Sequence, residues 1–240
     1  MKKQINTCYM CSDIADTKEH VPPKCFFPQD SNSTFRKNLI KVPSCKVHNN
    51  DTSDTDEVVN TLLYLAADKS SNKALIVKGQ KILDFHSKNG ERKIANILKI
   101  ITHNLKIIKL EERFSNKSGQ TFVFDYSPLQ EKVRSTFEKI SCGIYYYKTG
   151  KKLYAKHNVL EIIGINSDYV ENMVNIKLKQ DMVNNFRNLG IDFEGENPEV
   201  FKYRFFNNGS SVFFHFELFE SINIFNQAFL GYNALKKIDE

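Results

Sequence analysis

Cys8 and Cys11 have two residues between them, and so do Cys45 and His48. A two-residue gap lets one tight turn aim two side chains at a single tetrahedral ion, and the two pairs together supply four nitrogen and sulfur donors across thirty-three intervening residues. Four protein donors leave no open coordination position, so the chemistry implied is structural zinc rather than catalytic zinc. Such a site contributes folding free energy directly, which suits about fifty mostly polar residues that bury little apolar surface alone. The competing reading, a redox Cys8-x-x-Cys11 with an unrelated Cys45, lacks the βαβ pattern that usually surrounds a redox pair.

Between the pairs lies Thr17-Lys18-Glu19-His20-Val21-Pro22-Pro23, answered by Val42-Pro43-Ser44-Cys45-Lys46-Val47-His48-Asn49-Asn50. Pro22 and Pro23 end any strand that carries His20, which puts the imidazole at a strand terminus rather than inside a sheet. A lone histidine is ordinarily a surface or turn residue; its place between the two ligand pairs is what singles out His20. Cys25 falls outside both pairs and reads as a small buried hydrophobe beside Phe26 and Phe27.

The order Cys-x2-Cys, Glu-His-Val-Pro-Pro-Lys, Val-Pro-Ser-Cys-x2-His-Asn-Asn-Asp-x-Ser resembles the zinc-containing branch of the HNH endonuclease family over about residues 6–66. The resemblance implies a β-hairpin followed by a helix around one divalent cation, the ββα-metal fold. It also implies hydrolysis of phosphodiester bonds in DNA, or in RNA. That reaction needs a base to deprotonate water and a hard cation to stabilise charge on the phosphate and the leaving oxygen. His20 is the natural base, since a neutral imidazole titrates near working pH. By carry-over Glu19 and Asn49 are the ligands of a catalytic Mg²⁺ or Mn²⁺, with the adjacent Asn50 an alternative to Asn49. Asn38, just ahead of Leu39-Ile40-Lys41-Val42, is the candidate for the asparagine that orients the base. Two departures stand out: Glu19 replaces the usual Asp or His, and His48 replaces a fourth zinc cysteine. Cys3His is an ordinary zinc set.

These residues belong to a chain of 240 residues with 41% hydrophobic and 12% aromatic content, enough for a sizeable core. Its net charge of +6 and pI near 8.9 are compatible with nucleic acid and equally with a solvated basic surface. Lys24, Arg36, Lys37 and Lys46 are the basic residues near the site that phosphates would meet. Further basic residues fall at Lys41, at Arg92, Lys93, Lys99, Lys106 and Lys109, and at Lys148, Lys151, Lys152 and Lys156. No apolar run suggests a membrane span or a leader, and five cysteines, three of them assigned to zinc, fit a reducing compartment, so the expected location is cytoplasmic.

The expected fold is α+β: a zinc-stapled ββα-metal module over 1–68, a helical connector over 69–111 and a mixed α/β accessory domain over 112–240. Helices are predicted over 53–68, where Asp54, Asp56 and Glu57 favour the first turn, and over 70–87 and 91–110, split by Asn89-Gly90. Thr121–Phe124 reads as a strand. Ser127-Pro128 opens a helix through Val133, Phe137 and Ile140 that Ser141–Tyr147 extends, with Cys142 in the core. Tyr145, Tyr146 and Tyr147 invite base stacking, yet half-buried tyrosines with wet hydroxyls are the commoner outcome. A strand over 159–163 and a helix over 168–189, stopped by Gly190, precede a hairpin across Asn207–Ser210 and a strand over 222–229. His215, alternating with phenylalanines, reads as a hydrogen-bonded sheet residue. The C-terminal region has no motif that translates into chemistry; target selection, DNA positioning or a homodimer that cuts both strands are its expected roles. The expected function is a metal-dependent endonuclease, of use in restriction or phage defence; the alternative is a non-catalytic zinc finger that binds nucleic acid or protein.

Overall fold

The computed structural model describes residues 6–29, 34–67, 72–86, 105–110, 119–124, 127–162 and 169–231. Near its N-terminus, β1 (Thr17–Val21) and β2 (Ile40–Ser44) form an antiparallel hairpin with Glu19 opposite Val42 and His20 opposite Lys41. Strand alternation decides which side chains face inward: Glu19 and Val21 are buried, whereas Lys18 is exposed and His20 half-buried. The short helix α1 (Lys46–Asn49) follows β2 directly, with Cys45 in extended conformation at its N-cap.

Helix α2 (Ser53–Ala66) carries Asp54 and Asp56 in its first turn, where the helix dipole favours negative charge, and buries Val58, Val59, Leu62 and Leu63 at helical spacing. Helix α3 (Lys73–His86) comes next. The expected helix over 91–110 is corrected in its last part: Leu105–Leu110 is a strand, β3, paired with β4 (Gly119–Phe124). The sequence Leu-Lys-Ile-Ile-Lys-Leu has β-branched residues at its centre and a partner strand within reach, and pairing overrides the i, i+4 pattern. Residues 91–104, with Arg92, Lys93 and Lys99, lie outside the described residues.

Helix α4 (Gln130–Thr149) is the axis of the molecule. Val133, Phe137, Ile140 and Ile144 bury one stripe, and Gly150 at φ 68° ends the helix by offering its N–H to the Tyr146 carbonyl. The helix packs on β1, β2 and α2 and also on the C-terminal sheet. That sheet is five-stranded and antiparallel in the order β5-β9-β8-β7-β6, made of β5 (Ala155–Ile162), β6 (Glu194–Asn197), β7 (Phe201–Asn207), β8 (Ser211–Leu218) and β9 (Ile222–Leu230). Helix α5 (Tyr169–Asn188) connects β5 to β6. Phe201, Phe214 and Phe216 stack across the sheet, and Phe137 of α4 packs on Phe216 at 5.6 Å between ring centres. The core is one continuous cluster from Cys8 and Tyr9 through Val21, Leu63 and Phe137 to Ile224 and Ala228. The molecule is thus a mixed α+β protein, and no helix among the described residues is long and apolar enough to cross a membrane.

Candidate metal centre and the hairpin face

Cys8, Cys11, Cys45 and His48 converge, with all four donor atoms within 4.8 Å of one another. The Cys11 and Cys45 sulfurs are 3.8 Å apart, and His48 Nδ1 lies 3.6 Å from Cys8 Sγ, 3.6 Å from Cys11 Sγ and 3.2 Å from Cys45 Sγ. A tetrahedron with Zn–S arms of about 2.3 Å and a Zn–N arm of about 2.0 Å has edges of about 3.8 Å and 3.5 Å. The cluster therefore fits a metal such as zinc in size as well as donor type. Local folding explains the convergence. The turn after Cys8 is closed by Cys8 N–H donating to the Asp13 carbonyl and by Met10 N–H donating to Cys8 Sγ. The start of α1 sets Cys45 and His48 one turn apart. Burial, against the pull of the Asp13 backbone, pushes the Cys11 thiol up to about 12; a divalent ion bound here would supply the charge that favours its thiolate. Among the described residues this is the one His/Cys/Asp/Glu cluster with metal-holding geometry.

A second arrangement lies on the outward face of the hairpin. His20 is half-buried, and burial together with the charges of Lys41, Lys24 and Arg36 holds its pKa below the ordinary 6.5. Lys41 is its cross-strand partner; Arg36 is fixed by Nε donating to the Phe27 carbonyl at 3.0 Å. Of the other two basic residues, Lys37 follows Arg36 and its carbonyl accepts from Asn197 Nδ2, and Lys46 pairs with Asp16 at 3.8 Å beside the cysteine cluster. Asn38 takes φ 52° in the turn entering β2, three residues before Lys41, and lines a cleft of about 230 Å³ with Pro22, Tyr147 and Tyr203.

Glu19 and Asn49 do not meet as a ligand pair. Glu19 points to the opposite side of β1 from His20, where its Oε1 lies 3.8 Å from Lys139 Nζ, and Lys139 in turn holds Asp56 at 2.8 Å. Burial pushes the Glu19 carboxyl up to about 7 against the pull of Lys139, and burial likewise raises Asp56. Asn49 Nδ2 donates to the Lys18 carbonyl at 3.4 Å, and Asn50 is an exposed residue closing α1. An ammonium against Glu19 and an amide turned to backbone do not fit a Mg²⁺ or Mn²⁺ held by Glu19 with Asn49.

Lys139, Asp56 and Thr52 carry functional geometry that the sequence reading passed over. The available signal is a lysine at helical spacing between Thr136 and Gly143, on the buried face of α4 whose other members are small or apolar. Cys142 is in the core as expected, but with company: its sulfur is 3.7 Å from His157 Nε2, and His157 Nδ1 is 2.8 Å from Asn226 Nδ2. Burial pushes this thiol up to about 12, which disfavours the thiolate. His215 is the expected sheet histidine, accepting from Arg204 Nε at 3.1 Å, with its other nitrogen 2.8 Å from Asn223 Oδ1. Of the three tyrosines, Tyr145 and Tyr146 pack against the core and Tyr147 is exposed.

Fold and site together define an α+β protein with a Cys3His cluster beside its N-terminal hairpin that could hold a metal such as zinc. No family model matches the chain, no curated protein matches it, and no solved structure matches it.

Proposed function

We propose that the hairpin is the working face of a zinc-stapled nucleic-acid hydrolase of the HNH type, with His20 as general base. The observation that carries this reading is the setting of His20: a half-buried imidazole opposite Lys41 across the hairpin, with burial and the charges of Lys41, Lys24 and Arg36 lowering its pKa and so favouring the neutral form. A base must be unprotonated to accept a proton from water, and a phosphodiester needs positive charge around it both to bind and to stabilise its pentavalent transition state. The hairpin face supplies both at one point. Cys8, Cys11, Cys45 and His48 would hold the zinc, which would tie the Cys8–Cys11 turn to the end of β2 and the start of α1 and so position the face rather than act on substrate. The Mg²⁺ or Mn²⁺ implied by the resemblance has no fitting site on Glu19 with Asn49, and no step of this reading runs through one. DNA is the substrate expected first, with RNA as the second polymer bearing the same linkage.

The test is incubation of zinc-loaded protein with supercoiled plasmid and with single-stranded RNA, alone and with added Mg²⁺ or Mn²⁺, beside His20→Ala. A loss of about 10²- to 10⁴-fold in the variant, with zinc content and melting temperature unchanged, supports the assignment. Binding without cleavage by both proteins under every condition favours a non-catalytic zinc module that uses the same basic face.

A further inference from the structure

The resemblance puts a divalent cation on Glu19, behind β1. In the structure that space holds an ammonium group. Lys139, from the middle of α4, is buried to 4% exposure, and its Nζ lies 3.0 and 2.8 Å from the two carboxylate oxygens of Asp56, 2.8 Å from Thr52 Oγ1 and 3.8 Å from Glu19 Oε1. Glu19 and Asp56 are buried to the same degree. Four oxygens from β1, α2 and the turn before α2 therefore surround one positive charge, the donor set that a hard cation takes. The set also has capacity left over. Glu19 Oε2 is fully buried with no hydrogen-bond partner, and so is the hydroxyl of Tyr9, a ring close enough to feel the charges of Glu19 and Asp56.

We propose that Lys139 is the resident cation of this centre: the ammonium delivered by α4 takes the place of a divalent ion, excludes Mg²⁺ and Mn²⁺ from Glu19 and Asp56, and ties the hairpin to α2. A single positive charge between two carboxylates leaves the oxygens under-neutralised, so removing the ammonium exposes a site that a dication fits better than water does. The Asp56 and Thr52 oxygens would close in by about 0.7–0.9 Å and Glu19 Oε1, now 3.8 Å from the ammonium, by about 1.7 Å to pass to metal–oxygen distances, movements that side-chain rotation supplies. One consequence rests on the hydrolase reading: cleavage at His20 proceeds without added Mg²⁺. The inference itself does not rest on it.

The experiment reads metal binding rather than cleavage, so its failure and that of the hydrolase reading are separable. Zinc-loaded full-length protein is titrated with Mn²⁺, following the paramagnetic resonance signal of the free ion and the melting temperature. Wild type takes up no Mn²⁺ that depends on Glu19. Lys139→Met leaves two buried carboxylates uncompensated and melts about 10 °C lower; saturating Mn²⁺ recovers at least half of that loss, and adding Glu19→Gln abolishes the recovery. If Lys139→Met folds only when Mn²⁺ is present, the inference is supported more strongly. If it does not fold at all, Lys139→Gln takes its place, because its amide keeps a donor for Asp56 and Thr52. Stoichiometric Mn²⁺ binding by wild type that is lost in Glu19→Gln would overturn the inference, as would a folded, zinc-loaded Lys139 variant with no response to Mn²⁺.

Discussion

His20 illustrates how much of a residue's chemistry is set by neighbours rather than by its own type. Burial and three cations lower its pKa, so as pH falls the ring stays neutral to below the ordinary 6.5. On the hydrolase reading, cleavage rate against pH therefore has an acidic limb with its midpoint below 6.5, flat towards neutrality. Lys41→Ala removes the cross-strand charge, and the limb moves up towards the ordinary 6.5, most visibly at low salt. A pH–rate profile of both proteins checks this; a limb that does not move with Lys41 would mean another group is the base. Local chemistry of this kind was legible in the sequence where the signal is spacing: Cys8, Cys11, Cys45 and His48 could be read as one donor set because both pairs have the same two-residue gap. The surroundings of Glu19 could not. Its strand neighbour His20 is one residue away in sequence but on the opposite face. Its charge partner Lys139 lies 120 residues further on, and no short pattern encodes such a meeting.

Between residue and molecule stands the packing of α4 against the hairpin. Gly143 faces Val21, and a Cβ built there would meet Val21 Cγ2 at 2.5 Å and Cγ1 at 2.9 Å. Val21 is buried and β-branched, with one preferred rotamer on its strand, so it has little room to turn away. Gly143→Ala would gain about 1 kcal/mol of helix propensity in an ordinary helix interior, but here the clash outweighs it. The expected result is a net loss of about 1–2 kcal/mol in denaturant titration, with a shift of β1 that carries His20 along and lowers cleavage more than stability alone accounts for. A variant as stable as wild type would show that α4 and β1 are not in tight contact. Elements with strong periodic signals were legible: α2, α4 as far as Tyr147, and the β7–β8 hairpin all follow from apolar spacing and turn residues. Leu105–Leu110 was not, because Leu-Lys-Ile-Ile-Lys-Leu fits a helix face and a strand alike until the partner strand Gly119–Phe124 is known.

At the scale of the whole molecule, the metal cluster and the C-terminal sheet are mechanically one body. Cys8 and Tyr9 are fully buried in the same cluster as Phe137, Ile144 and the sheet phenylalanines, and α4 carries that contact from the hairpin to β5 and β9. Lys139 reinforces it by joining α4 to Asp56 of α2 and to Glu19 of β1, so loosening the hairpin strips a buried ion pair of one partner. A zinc staple on an independent finger would, when removed, melt the finger and leave the rest untouched. Here removal must reach the core. Holding four ligands together contributes on the order of 10 kcal/mol in isolated zinc modules, more than the total stability of many domains, although a preformed hairpin recovers part of that without metal. The expected outcome of zinc removal by a chelator, or of Cys45→Ser, is one cooperative melting transition displaced downward by more than about 10 °C. Scanning calorimetry and far-ultraviolet circular dichroism should give coincident curves. Two separated transitions, the upper one at the position of the zinc-loaded protein, would instead mean that the sheet and α4 fold without the hairpin. The continuous core predicts a single transition, because α4 packs on β1 and β2 as well as on α2 and the sheet, with Gly143 against Val21, and releasing the hairpin uncovers that part of its buried stripe.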